Sequence, residues 1–226
     1  MKNKTTIITI VAAILVVAIA FVVGPLLNDK LGDNKNSHEN MSMPNESGNG
    51  SLVQKDSEDY KMYAALDGDD YDKAFMSGMI THHEGAVDMA ELALTNAKRQ
   101  EIKDMAQDII AAQNKEIDDM RTWQKQWGYV GSTDHSGMNH GSSGSTMNMA
   151  DHMDMMMDEL RGKTGDEFDK AFLEQMIMHH QGALNMAAPG QDNAKHQEIK
   201  DLTKAVVDAQ TKEIKQMQAW QKEWGL

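Results

Sequence analysis

YDKAFMSGMITHHEGAVDMA, Tyr71 to Ala90, returns 97 residues later as FDKAFLEQMIMHHQGALNMA, Phe168 to Ala187. The register holds without a gap until Gly128 lies over Gly225, and 31 of the 58 paired positions are identical. The chain therefore carries an internal duplication. In the first copy Phe75, Met79, His82, His83, Ala86, Met89 and Ala90 recur at spacings of three and four, which marks one face of a helix. A second helical stripe follows through Ile102, Met105, Ile109, Gln113, Glu116, Ile117, Met120, Trp123 and Trp127, with its counterpart through Ile199, Leu202, Val206, Gln210, Glu213, Ile214, Met217, Trp220 and Trp224. Each hairpin has an apolar face that it cannot bury alone, so the two predict an all-α four-helix bundle. The four tryptophans fall at equivalent helix ends, where they would close it. No alternating apolar and polar run suggests a strand.

Local signals set the boundaries. Asp69 or Asp72 is expected to cap the first helix, and Thr164 to Glu167 has the spacing of a capping box in the second copy. Thr95-Asn96 ends the first helix, whereas Pro189-Gly190 stops its counterpart earlier, and Gly128 terminates the second stripe. The resulting organisation is a membrane anchor or signal over 1–27, a flexible tether over 28–57, a first hairpin over 58–128, a Met/His-rich connector over 129–165 and a second hairpin over 166–226. After Lys2 and Lys4, the 23 residues Thr5 to Leu27 bear no charge and suffice to span roughly 30 Å of hydrocarbon. Positive residues before this run and acidic ones after it place the body outside the cytoplasm, in a periplasm or at a cell surface. An uncleaved anchor is favoured. Cleavage after Ala18-Ile19-Ala20, giving a secreted protein, is the alternative.

Composition narrows the function. A net charge of −13 excludes a nucleic-acid footprint and favours cations. The absence of cysteine removes disulfides and thiolate metal sites. Against 4 Phe there are 20 Met, and Met carries a soft thioether on an apolar stem.

Those thioethers keep company with imidazoles. On a helix Met79, His82 and His83 share roughly one third of the circumference, and Met89 returns to the direction of His82 two turns later. Met176, His179, His180 and Met186 repeat the pattern, so a bundle could turn both sets toward its interior. Imidazole with thioether and no thiolate suits copper, Cu(I) above all; zinc or iron is the alternative. Between the repeats His135, Met138, His140, Met147, Met149, His152, Met153, Met155, Met156 and Met157 form a second dense donor set, suited to metal capture, whose latter part reads as a short helix. His38, Met41 and Met43 in the tether repeat the theme on a smaller scale. Gln113, Glu116, Gln210 and Glu213 lie on the facing stripes, where they would hydrogen-bond across the bundle or orient the imidazoles from behind. The bland reading of the same residues is a hydrogen-bonded His layer in a Met-filled core. Di-iron chemistry needs Glu-x-x-His on two helices, but the residues three before each His are Met79, Ile80, Met176 and Ile177. Phosphate loops, nucleophile elbows and zincin helices are also missing.

The pattern D-K-A-F…M-I-x-H-H-x-G-A…M-A, followed by E-I-K-D…Q-x-K-E-I…M…W-Q-K, resembles the bacterial domain-of-unknown-function family numbered 305, over 71–128 and 168–225. That resemblance implies exported, ferritin-like paired helices, with copper binding and copper tolerance in some members, and it carries the family's His pair onto His82, His83, His179 and His180. Glu84 against Gln181, and the early Pro189-Gly190 break, depart from an even duplication. The expected function is extracytoplasmic copper sequestration, tolerance or handover, with a copper-transport partner whose identity the residues do not give. A ferritin-like metal oxidase and a metal-free structural bundle are the rival readings.

Overall fold

Helix capping and chain reversal decide where the elements fall. A computed structural model describes residues 51–129 and 149–226. Among them are seven helices: α1 (Glu58–Ala64), α2 (Gly68–Asn96), α3 (Gln100–Gln126), α4 (Met149–Leu160), α5 (Gly165–Ala187), α6 (Gly190–Asn193) and α7 (Gln197–Trp224). The described residues contain no helix long and apolar enough to cross a membrane. The anchor assigned to 1–27, and His38, Met41, Met43, His135, Met138, His140 and Met147, lie outside the described residues.

The duplicated hairpins are α2–α3 and α5–α7, and α2 crosses α5 at the centre. Tyr71, near the start of α2, donates its hydroxyl to the carbonyl of Met186 near the end of α5 (3.0 Å), so the two helices run antiparallel. Pro189 has no N–H to continue α5, and the helix breaks into the short α6 at the expected place. Both long second helices end with a positive-φ glycine, Gly128 (φ 72°) and Gly225 (φ 66°). The next N–H reaches back five residues in each, Tyr129 to Gln124 and Leu226 to Gln221, which satisfies a terminal carbonyl.

The helix starts differ from expectation. Asp67 is the N-cap of α2 and Thr164 that of α5, and neither side chain makes a capping bond. Asp72 is instead fully buried and accepts from the backbone N–H groups of Lys195 and His196, both at 3.1 Å, at the start of α7. Its equivalent Asp169 accepts from Lys98 (2.8 Å) and Arg99 (3.2 Å) at the start of α3. Each repeat therefore caps the second helix of the other. A buried carboxylate gains more from two orphan N–H donors than from solvent-facing groups at its own helix start.

Around each cap an aromatic completes the joint. Arg99 donates from Nη1 to Asp169 (2.7 Å) and lies over Trp224, 4.5 Å from the ring centroid. In the other copy His196 meets Asp72 through Nδ1 (2.6 Å) and stacks on Trp127 at 3.8 Å. The tryptophans close the ends as expected, as stacked pairs Trp123–Trp127 and Trp220–Trp224.

Two apolar clusters fill the interior. One joins Met89, Ile102, Ile109, Phe168, Phe172, Met176 and Trp220; the other joins Tyr71, Phe75, Met79, Met120, Met186 and Val206. Along α2 and α5 the His pairs fall between the residues of these clusters, as a polar layer within an otherwise apolar core. Helix α1, not expected as a separate element, is capped by Ser57 and packs Tyr63 edge-on against Tyr71. Helix α4 forms where the connector predicted a short helix and lies against α2 and α5.

Candidate metal centre

All four histidines of the duplicated pairs are buried, His82 at 3%, His83 at 0%, His179 at 1% and His180 at 0% exposure. Neither member of either pair faces outward. Burial of an imidazole without water needs partners, and these are distributed symmetrically. His83 donates from Nε2 to Glu116 Oε2 (2.7 Å), bringing α3 onto α2, and His180 donates likewise to Glu213 Oε2 (2.6 Å), bringing α7 onto α5. His179 donates from Nε2 to the backbone carbonyl of His82 (2.8 Å). The His82 and His179 rings sit on the axis of the duplication with centroids 3.7 Å apart, tilted by 42°.

Those bonds place ring protons. A carboxylate or a carbonyl accepts, so Nε2 of His83, His179 and His180 carries a proton. The Nδ1 atoms of all four histidines are buried and have no hydrogen-bond partner, as are the Oε1 atoms of Gln113 and Gln210. Removal from water also lowers the pKa of His82 and His179 well below the ordinary value, with the neighbouring imidazoles adding to the effect. Both rings are consequently neutral. Neutral His179, with Nε2 bound to a carbonyl, keeps a bare Nδ1, and His83 and His180 are held from the far side by carboxylates, the arrangement that orients histidine toward a metal.

The thioethers are divided between the flanking clusters. Met79 and Met186 lie in one and Met89 and Met176 in the other, all at 0–1% exposure, so each cluster holds one of these methionines from each repeat. On α4, Met156 is buried, Met153 and Met157 pack against the core, and Met155 and His152 face outward. Among the described residues no set of three or more His, Asp or Glu side chains is gathered to hold a metal ion. A site here needs sulfur, or two imidazoles, rather than an oxygen-rich cage.

Sequence reasoning took Asp72, as an alternative to Asp69, for a cap of its own helix and missed the fully buried Asp169. The signal was available, because Asp72 and Asp169 both belong to the D-K-A-F motif retained in each copy. Gly85 and Gly182 were also passed over. A Cβ on Gly182 would stand 3.1 Å from His82 Nε2, so that glycine lets the helices close over the ring, whereas one on Gly85 would meet Met153 Sδ at 2.5 Å and reach His179 Nε2 only at an ordinary contact of 3.7 Å.

A bundle of paired helices around a buried His layer defines the class. Family comparison makes it specific: the model of the family described as "Domain of unknown function (DUF305)" matches residues 26–93 and 72–221, and the chain belongs to that family. Among solved structures it is similar to CopM in the Cu(I)-bound form, with 34% identity over 68% of this chain and 96% of that one, at a TM-score of 0.54. CopM is also known in Cu(II)-bound and Ag-bound forms, with the same share of this chain covered. A DUF305 protein of Streptomyces coelicolor shares 25% identity over 68% of this chain and 93% of that one, at a TM-score of 0.57. An uncharacterized protein of Acanthamoeba polyphaga mimivirus is 39% identical over 51 residues, and the match spans 34% of that relative's length.

Proposed function

We propose that this chain binds copper, as Cu(I), in the buried His layer and serves to sequester it or hand it on outside the cytoplasm. The observation that carries the reading is the set of four buried Nδ1 atoms without a hydrogen-bond partner. A buried polar atom without a partner costs free energy unless something occupies it, and a soft cation is the partner that a neutral imidazole such as His82 or His179 suits. His82, His83, His179 and His180 are the nitrogen donors, with Glu116 and Glu213 orienting His83 and His180. Met79, Met89, Met176 and Met186 flank the layer, and the connector residues His135, Met138, His140, Met147, Met149, His152, Met153, Met155, Met156 and Met157 act as a capture arm. The likeness to a protein solved with Cu(I), Cu(II) and Ag supports copper over zinc or iron. The uncharged run Thr5 to Leu27 supports export with a retained anchor, and the four long helices fit a ferritin-like plan.

The test is an anaerobic Cu(I) titration of the full chain in detergent against a chromogenic chelator, combined with thermal unfolding. Binding confined to the native state at 100 times Kd adds about 2.7 kcal/mol, which moves the midpoint of a body this size by roughly 5–10 °C. The His82/His179 to Gln variant is expected to lose that gain. The contacting His82 and His179 rings favour a metal-free layer as the second reading. An unchanged midpoint with Cu(I), in the parent protein, would decide for it. Oxygen uptake proportional to added metal would instead identify an oxidase.

A further inference from the structure

The 97-residue shift that aligns the repeats also carries α1 onto the second half of α4, with Tyr63 over Leu160. Both residues are buried, and each joins the cluster that holds the first aromatic of its repeat, Tyr71 or Phe168. The residues ahead of α1 are therefore the counterpart of the first turns of α4. The two segments treat the glycines of the His layer differently. Over the buried Gly85, Met153 fills the space: a Cβ there would lie 2.5 Å from its Sδ and 3.1 Å from its Cγ. Gly182 is partly exposed, and apart from its own helix a Cβ there would meet only the His82 ring, at 3.1 Å from Nε2 and 3.9 Å from Cδ2. Beside this gap runs a non-helical strap, Leu52 to Gln54. Gln181 donates from Nε2 to the carbonyl of Leu52, and Asn185, one turn on, accepts from the N–H of Gln54 (2.8 Å). Around the helix Asn185 stands about 40° from Gln181 and about 60° from Gly182, so the strap follows the edge of the gap. In the first repeat the same two positions are the exposed carboxylates Glu84 and Asp88, and Glu84 pairs with Arg121 (2.5 Å). A carboxylate has no proton to give a carbonyl, so Glu84 cannot hold a strap as Gln181 does.

We propose that the soft ion enters and leaves the His layer past Gly182, over the edge of the His82 ring, and that the strap held by Gln181 and Asn185 is the gate that sets the rate. This rests on the copper reading above. Met153 closes the equivalent approach at Gly85, which leaves the duplicated layer one open side. His82 is itself only 3% exposed, so an ion reaches it when the cover moves. The strap is the part of the cover that lifts most readily. None of its residues is buried, and two side-chain hydrogen bonds tie it to α5, whereas α4 is anchored through the buried Met156 and Leu160. Each of those bonds, when lost, raises the population of the lifted strap about fivefold. The strap makes no bond to the ion, so it lifts equally often with the layer filled or empty. Uptake and release therefore change together, and the affinity stays fixed.

The experiment uses the full chain in detergent without oxygen, with Cu(I) exchanged between the protein and a chromogenic chelator. Stopped flow gives the uptake and release rates, and equilibrium competition gives the affinity. Gln181→Leu and Asn185→Leu are each expected to speed both rates about fivefold at unchanged affinity. In Gln181→Leu the amide of Gln54, whose own bond to Asn185 is untouched, should also exchange its hydrogen about fivefold faster by NMR. Glu84→Leu, the same change at the equivalent position of the other repeat, should alter neither rate. Unchanged rates in both strap variants overturn the gate. A rise in release alone overturns it too, because the amides would then be stabilising the bound ion. Unaltered exchange at Gln54 in Gln181→Leu shows that Gln181 does not hold the strap, which is equally fatal. If the gate fails while His82/His179 to Gln still abolishes tight binding, the His-layer reading survives on its own. If that variant binds as the parent does, both fail.

Discussion

Removing the carboxylate of Asp169 tests whether the two repeats hold each other in register. The side chain is fully buried and accepts three hydrogen bonds, from the N–H groups of Lys98 (2.8 Å) and Arg99 (3.2 Å) and from Arg99 Nη1 (2.7 Å). Breaking one partner out of a buried charged pair costs about 3–5 kcal/mol. Arg99 keeps a second, exposed partner in Asp166 (2.9 Å) and its place over Trp224, so Asp169→Ala is expected near the lower end, about 3 kcal/mol. For a body of this size that is roughly 6–12 °C in the unfolding midpoint. Asp72→Ala should cost less, about 2 kcal/mol. It too leaves two backbone donors unmet, but the side chain left behind is an imidazole stacked on Trp127 rather than a permanently charged guanidinium. Chemical denaturation of both variants at neutral pH measures the difference. A loss below about 1 kcal/mol in both, or a larger loss in Asp72→Ala, would refute the reciprocal capping.

Burial keeps His82 and His179 neutral when folded, while in the unfolded chain they take a proton below about pH 6.5. Their folded pKa is depressed, so the metal-free protein has its full stability above that pH and loses it as the pH falls, by at most about 2.7 kcal/mol per unit for the pair. Urea unfolding from pH 7.5 to 5.5 shows this slope, and in His82/His179 to Gln it should flatten; an unchanged slope contradicts the assignment. Glu116→Gln retains an acceptor for His83 but removes the charge, and is expected to weaken the first equivalent of Cu(I) about tenfold in chelator competition. Equal affinity in that variant would mean that His83 is not held for a ligand.

The long helices and the His layer were legible because duplication repeats the 3.6-residue stripe, and a feature kept in both copies stands out from drift. The backing of His83 by Glu116 and of His180 by Glu213 followed from the same logic, since facing stripes meet in register. Asp72 was misread as a local cap: at the start of a helix, one sequence cannot tell an acceptor for its own backbone from one for a segment more than 100 residues away. The stacking of His196 on Trp127, and its replacement by Arg99 over Trp224 in the other joint, also depends on chain paths between repeats. Met153 lay within a row of seven connector methionines that composition alone does not rank. Only the packing of α4 on Gly85 distinguishes it.

The central claim is that bare imidazole nitrogens in the buried layer hold a soft ion. Nitrogen-15 NMR of the histidine-labelled full chain, with and without one equivalent of Ag(I), tests it most directly. The unprotonated ring nitrogens of His82 and His179 are expected to shift on binding, while the Nε2–H signals of His83 and His180 remain in their bonds to Glu116 and Glu213. Unmoved signals from the buried rings, with changes confined to His135, His140 and His152, would contradict the account and leave metal binding to the connector alone.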